Sequence, residues 1–394
     1  MKRQPFFTKA AAATLTLTAG ISLAGPASAA SPSSMLLGMF DGTGHTSDDM
    51  KAVTGKRPAT KVLFSNFSDD SLRSLNNDLT NAWNEGAAPL LTFEFFTNNK
   101  QGDPHAGPYD GAAKHKGDHE NTARVDKNIA EGKLDSRIDR AADTVRTFVA
   151  GPDNTLNTQD DRKVYIRPGH EMNGTWYRWS ATANQTPTDY VNAFRHIHER
   201  FDHVGLTNKD SIQYIWSPMS CGSINDCDPT HLARGYYPGD RYVDWVGVDA
   251  YNWGNARSSG WQSPETIMKQ ALDEVSNIAP SKPLTIPETG VPSNAGGDKN
   301  QWFNDLYGFT SYYISPQKQR IKMLNYFNNK KKEDGTLIDW TAINSADDHR
   351  FPAFNSLARH DNYIGGNKKN HISTAQFQGC LLYTSDAADD SLRV

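Results

Sequence analysis

Eight short apolar runs recur along the chain with helical stretches between them, and this alternation constrains the fold more than any other feature. The runs are MLLGMF (35–40), KVLFSNF (61–67), PLLTFEFF (89–96), KVYIRPG (163–169), IQYIWSP (212–218), VDWVGVDAY (243–251), KPLTIPE (282–288) and IKMLNYF (321–327). Most are apolar without alternation, the pattern of a parallel strand covered on both faces. Between them, SDDSLRSLNNDLTNAWNEG (68–86) opens on a Ser/Asp cap and closes at Gly86, and LDSRIDRAADTVRTFVAG (134–151) repeats apolar residues every three or four positions. The stretches 186–205 and 263–280 each begin with a capping residue followed by proline and an acidic residue, a helix-start signal. Eight strand–helix units in 394 residues predict an α/β protein built as a (β/α)8 TIM barrel. An open doubly wound sheet is the alternative, but GMFDGTG (38–44) does not match the glycine-rich phosphate loop that such sheets carry after their first strand.

Both ends of the chain read differently from the middle. MKRQPFFTK supplies a positive start, Ala10–Gly25 an apolar stretch rich in Ala and Thr, and Ala27–Ala29 a small-residue cleavage site. Residues 1–30 are therefore expected to be a secretory signal peptide, cut after Ala29 or Ala30, and the protein to be extracellular. At the other end, one set of codons for CLLYTSDAAD spells a transposase-type sequencing-library adapter, so residues 380–394 are expected to be translated adapter, not native protein. No repeat or low-complexity linker interrupts the span between, which predicts one catalytic-sized domain over 31–379.

Composition excludes several partner classes. A net charge of −4 without a basic block argues against nucleic acid, which demands clustered Lys and Arg. The run NKKKED (329–334) reads as a solvated loop, and no later stretch is apolar for long enough to span a bilayer. Export permits disulfides, and Cys221 and Cys227 in SCGSINDCD are spaced to staple a small loop. The long polar loop 97–121 would follow the third strand on the catalytic face and shape a cleft. Its His105, His115 and His119 match no standard ligand spacing, and PDNTLNTQDDR (152–162) lacks the glycine and terminal glutamate of a calcium loop, so no metal is expected.

Barrel enzymes work at the C-terminal ends of their strands, and two glutamates stand there. Glu171 follows the fourth run in RPGHEMNGTWYRW and Glu288 ends the seventh in LTIPETG. One glutamate alone would be a salt-bridge partner. Two of them at one barrel mouth are what glycosidic cleavage requires, one to protonate the leaving oxygen and one to attack or to activate water. Their surroundings differ, as such a pair needs: Glu171 lies beside His170, Trp176 and Trp179, whereas Arg167 and Tyr251 are candidate donors to Glu288. Trp216 and Trp245 sit within apolar runs and read as core, Trp253 as a cleft residue, and Trp179 as either.

RPGHEMNGTWYRW, VDWVGVDAYNWG and KPLTIPETG together resemble glycoside hydrolase family 26, a group of secreted retaining β-glycanases that includes endo-β-1,4-mannanases. The resemblance implies Glu171 as general acid/base and Glu288 as nucleophile. It further implies Arg167, His170, Trp176, Asp249 and Tyr251 around the reacting sugar, with Trp176 stacking on a ring and Tyr251 bonded to the nucleophile; Asn173 and Trp253 complete the expected binding set. The expected protein is a monomeric hydrolase of β-1,4-mannan, galactomannan or glucomannan that uses no cofactor and touches neither membrane nor nucleic acid. A β-1,3-1,4-glucanase, a β-1,3-xylanase, or a barrel that binds carbohydrate without cleaving it are the alternatives. Gly169 and Arg178 depart from the family pattern, where a bulkier residue and a proline are frequent, and both are positioned to reshape a subsite.

Overall fold

Each apolar run becomes a strand, and each strand pairs in parallel with the next. The computed structural model describes residues 32–44, 47–96, 124–180, 186–221, 233–333, 335–369 and 371–380. The expected leader, the whole 97–121 loop with its three histidines, Cys227 and the tail after Cys380 lie outside the described residues. The strands are β1 (Met35–Asp41), β2 (Thr60–Asn66), β3 (Ala88–Glu94), β4 (Val164–Pro168), β5 (Ile212–Trp216), β6 (Trp245–Gly247), β7 (Leu284–Gly290) and β8 (Ile321–Asn328). Neighbours pair in sequence order, and β8 returns to β1 with Leu36–Asp41 in register with Met323–Asn328. The sheet therefore closes into a (β/α)8-type barrel without edges. Beyond Gly247, Ala250 and Tyr251 pair again with β7 and carry the sixth strand up to the mouth.

The helices are α1 (Ser47–Thr54), α2 (Asp69–Asn84), α3 (Val125–Ala130), α4 (Asp135–Val149), α5 (Pro187–His203), α6 (Pro264–Ile278), α7 (Lys299–Tyr312), α8 (Pro352–Arg359) and α9 (Thr374–Phe377). Their starts follow the cap chemistry. The side chain of Ser68 accepts from Ser71 N–H, Ser263 accepts from Thr266 N–H, and Thr186 and Asp189 form a reciprocal capping box ahead of α5. The unit after β5 departs from the expected pattern. Its described residues carry only a 3₁₀ turn, Ala233–Tyr236, in a stretch rich in Gly, Pro, Asn and Asp that has no helical period. NKKKED is likewise more than a loop, since Lys330–Glu333 pairs antiparallel with Thr336–Asp339 in a hairpin directly after β8.

Two layers fill the barrel. The lower one, towards the N-terminal ends of the strands, contains Leu36, Val62, Leu90, Tyr165, Ile215, Trp245 and Met323, and the C-terminal Ile372 and Phe377 pack into the same cluster. The upper one contains Tyr251, Phe327, Ile338 and Trp340, flanked by Phe40, Phe64 and Trp253. Trp216 and Trp245 are fully buried, as core residues should be. No helix of the described residues is long and apolar enough to cross a membrane.

Candidate active site

The turn after β4 is held in a conformation that few residues adopt willingly. Gly169 and Glu171 both have left-handed backbones, with φ of 54° and 53°. A β-carbon on Gly169 would approach the Phe95 ring to 2.8 Å, so the bulkier residue frequent at this place in the family would need that ring to move. For a glutamate the left-handed region costs about 1–3 kcal/mol and persists only where the surroundings enforce it. They do so here from both sides: Glu171 N–H donates to Ser217 O at 3.0 Å, and Glu171 O accepts from Gly174 N–H at 3.0 Å. Gly174 leaves room for the Trp176 ring, whose atoms would lie 2.4–2.7 Å from a β-carbon there. Folded over it, Trp176 donates its indole N–H to Glu171 Oε2 at 3.0 Å. The strained turn thus aims one carboxyl into the mouth.

Glu288 reaches the same mouth from β7 and is held by donors. Tyr251 O–H donates to its Oε2 at 2.6 Å, and Arg167 Nη2 donates to its Oε1. Arg167 is fully buried on β4. Its Nη1 lies 3.0 Å from both oxygens of Asp249, and its Nε donates to Thr92 Oγ1 at 2.8 Å. Burial works against the guanidinium charge, but Asp249 and Glu288 outweigh it and push the Arg167 pKa further up. Removing one member of a buried ion cluster strands the rest. Arg167→Met should therefore lose about 3–5 kcal/mol of stability along with activity. A urea midpoint within error of wild type would show that the cluster is not held together by this charge.

The remaining expected residues gather here, with different surroundings. Asn173 is buried, and its amide is occupied by the next loop: Nδ2 donates to Met219 O at 2.9 Å and Oδ1 accepts from Met219 N–H at 2.8 Å. Asp249, also buried, accepts from Arg167 and from Ser217 Oγ. Both side chains therefore brace the elements that carry the two glutamates. Trp176 and Trp253 are the partly exposed members of the expected binding set. Trp179 proves to be core, 1% exposed, stacked on Tyr177 at 4.3 Å and donating to His170 O. Cys221 is disulfide-bonded and Cys380 is free; the expected partner Cys227 is not among the described residues.

Several neighbours escaped the reading of the sequence. The Tyr177 hydroxyl lies 3.0 Å from His170 Nε2. Glu94 ends β3 two residues beyond the inward-pointing Thr92, so strand alternation directs it into the mouth as well. A glutamate inside the otherwise apolar run PLLTFEFF was the available signal. Lys331 of the hairpin stands 5.4 Å from the Phe327 ring and 2.7 Å from Glu333.

Electrostatics marks out the first of the two expected catalytic carboxyls. Burial, then the charge of Glu288, push Glu171 up to about 8, against the opposing pull of the Trp176 N–H, Arg167 and Lys331. Desolvation and Glu288 also push Glu94 up to about 8. Burial, reinforced by Arg167 and Lys331, holds His170 well below the usual histidine range, so its imidazole is neutral and available for hydrogen bonding. At neutral pH Glu171 carries a proton beside a donor-clamped Glu288, a pair suited to protonate one oxygen and attack one carbon. Among the described residues no cluster of three or more His, Cys, Asp or Glu could hold a metal ion.

Known proteins resemble the chain in sequence and in fold. The chain is 33% identical over 193 residues to Endoglucanase H of Acetivibrio thermocellus, a match covering 47% of this chain and 19% of that protein. It is 24% identical over 311 residues to a mannan endo-1,4-beta-mannosidase of Bacillus subtilis, covering 74% of this chain and 73% of the relative. The fold matches a Cellulomonas fimi endo-beta-1,4-mannanase double mutant with a TM-score of 0.60 and 18% identity, over 87% of this chain and 73% of that one. The model of glycosyl hydrolase family 26 matches residues 30–332, and the chain belongs to that family of glycoside hydrolases.

Proposed function

We propose that the chain is a secreted, retaining endo-β-glycanase that hydrolyses β-1,4-mannosidic bonds in mannan, galactomannan or glucomannan. The observation that carries the reading is the asymmetry of the two carboxyls: a proton-holding Glu171 and a Glu288 bonded by Tyr251 and Arg167. In the first step Glu288 attacks the anomeric carbon while Glu171 gives its proton to the departing glycosidic oxygen. The product is a covalent glycosyl–Glu288 ester. In the second step Glu171, now a carboxylate, takes a proton from water. That water displaces Glu288 and releases the sugar with its configuration retained. Such a pair stands about 5–5.5 Å apart. Trp176 and Trp253 offer ring faces to the sugar, and His170 offers a ring nitrogen to its hydroxyls.

The mannan preference draws on the Bacillus subtilis relative, named a mannan endo-1,4-beta-mannosidase. The match to Endoglucanase H favours a second reading on the same chemistry, a β-glucanase. Export rests on the leader pattern of residues 1–30. Reducing-sugar release from mannan, lichenan and β-1,3-xylan, measured in the culture medium of an expressing bacterium, tests these points together. Mannan should be cleaved fastest. Activity on lichenan alone replaces the first reading by the second, binding without release on any substrate sinks the enzyme, and activity confined to the cells sinks export.

A further inference from the structure

Away from the carboxyls, a buried lysine supports the wall that holds them. Trp340, 1% exposed, lies edge-on to Tyr251 at 5.9 Å, to Trp253 at 5.1 Å and to Phe327 at 5.8 Å. Tyr251 is the residue that donates to Glu288, so the position of Trp340 bears directly on that bond. Trp340 is fixed largely through its backbone: its N–H donates to Asn329 O, and its carbonyl accepts from Tyr326 O–H at 2.6 Å. The following residue, Thr341, is tied to Asp339 by its own N–H and hydroxyl. Its carbonyl accepts from Lys299 Nζ at 3.0 Å.

Lys299 is a costly residue for this place. It opens α7, where the helix dipole disfavours a cation, and it is only 5% exposed. Among the described residues no carboxylate lies within ion-pair distance of it. Asp339 and Asp348 face it from further off, and Arg350 opposes them. Its ammonium sits instead over ring faces, 4.7 Å from Phe351 and 5.9 Å from Phe303 and Tyr326. Burial lowers its pKa to about 7. A methionine would fill the same space without that cost, so simple packing does not account for the charge.

We propose that Lys299 is a positioning residue for the reaction: its bond to the Thr341 carbonyl sets Trp340 against Tyr251, and Tyr251 in turn holds Glu288. The inference rests on Glu288 acting as the nucleophile. The test is a double-mutant cycle of K299M and W340F on an aryl β-mannoside, with kcat and KM measured separately and folding checked by thermal melting. K299M should lower kcat about tenfold and leave KM nearly unchanged, because the lysine lies behind the cleft. In the W340F background K299M should cost little further, since the route through Trp340 is already broken. Losses that multiply in the double variant, or a K299M enzyme with full kcat, overturn the proposal. If K299M does not fold, K299Q, which is neutral but can still donate to the Thr341 carbonyl, is compared with K299L, which cannot: kcat kept in K299Q and lost in K299L supports the proposal, and equal kcat in the two overturns it. Turnover that survives in Glu288→Ala would remove the nucleophile reading instead, whatever Lys299 does.

Discussion

Glu288→Ala is expected to stop turnover of polysaccharide and of activated aryl glycosides alike, by on the order of 10⁶-fold, the scale of losing a nucleophile. No other carboxylate replaces it, because Glu171 and Glu94 both hold protons at neutral pH and Asp249 is occupied by Arg167. The partner variant should behave differently. Glu171→Ala should slow polysaccharide hydrolysis by about 10²–10⁴-fold, the usual contribution of a general acid. Formation of the covalent intermediate from an aryl glycoside with a good leaving group should be nearly spared, since that leaving group needs no proton. The intermediate should then accumulate for want of a base, and added azide, which attacks without losing a proton, should restore the rate. The same carboxyl sets the alkaline limb. As pH rises through about 8 Glu171 gives up its proton, so wild-type kcat/KM should fall there, and the limb should be absent in Glu171→Ala acting on the activated substrate. A Glu288→Ala variant that kept most of its rate would falsify the nucleophile assignment. A limb unchanged in Glu171→Ala would move the acid role to another group.

The barrel was legible because parallel strands covered on both faces leave continuous apolar runs, and all eight runs are strands whose ends shift by no more than two or three residues, the sixth split at Val248–Asp249. The two glutamates were legible because strand ends in a barrel share one mouth. What chain position did not reveal was the direction of the supporting side chains. Asn173 stands two residues from Glu171, yet a turn with a left-handed residue at its centre directs its amide to Met219. Trp176 and Trp179 carry the same ring three residues apart, and it is the stack on Tyr177, the contact with Phe95 and the bond to His170 O that consign the second to the core. Lys299 lies 11 residues past Glu288 in sequence and meets the site through the chain at Thr341. Contacts of that kind depend on tertiary placement and leave no periodic trace.

The second large effect is expected at the opposite end of the barrel, where a polar-looking C-terminal stretch proves to be structural. Removal of residues 371–394 should unfold the protein or lower its melting temperature by many degrees, whereas removal of 380–394 should leave melting and activity unchanged. The contrast follows from where the side chains go. Phe377 is fully buried among Leu36, Tyr165, Ile215 and Trp245 at the floor of the barrel. Its ring lies 4.5 Å from that of Tyr165, whose hydroxyl donates to the Phe377 carbonyl at 3.0 Å. Ahead of it, the His371 ring stacks on Trp83 at 3.7 Å, and Ser373 and Gln376 form the capping box that starts α9. A buried phenylalanine truncated to alanine costs about 3–5 kcal/mol, a large share of the roughly 5–15 kcal/mol that keeps a domain folded. Phe377→Ala alone should therefore lower the urea midpoint clearly, with kcat unaffected below the transition, because the floor lies on the side away from Glu171 and Glu288. A loose surface tether would predict a change within about 0.5 kcal/mol for Phe377→Ala and a benign truncation at 370. The deletion ending at 379 separates the two cases from any effect of the tail: its last residue packs against Pro283 and Trp245, so every floor contact of Ile372 and Phe377 is still present.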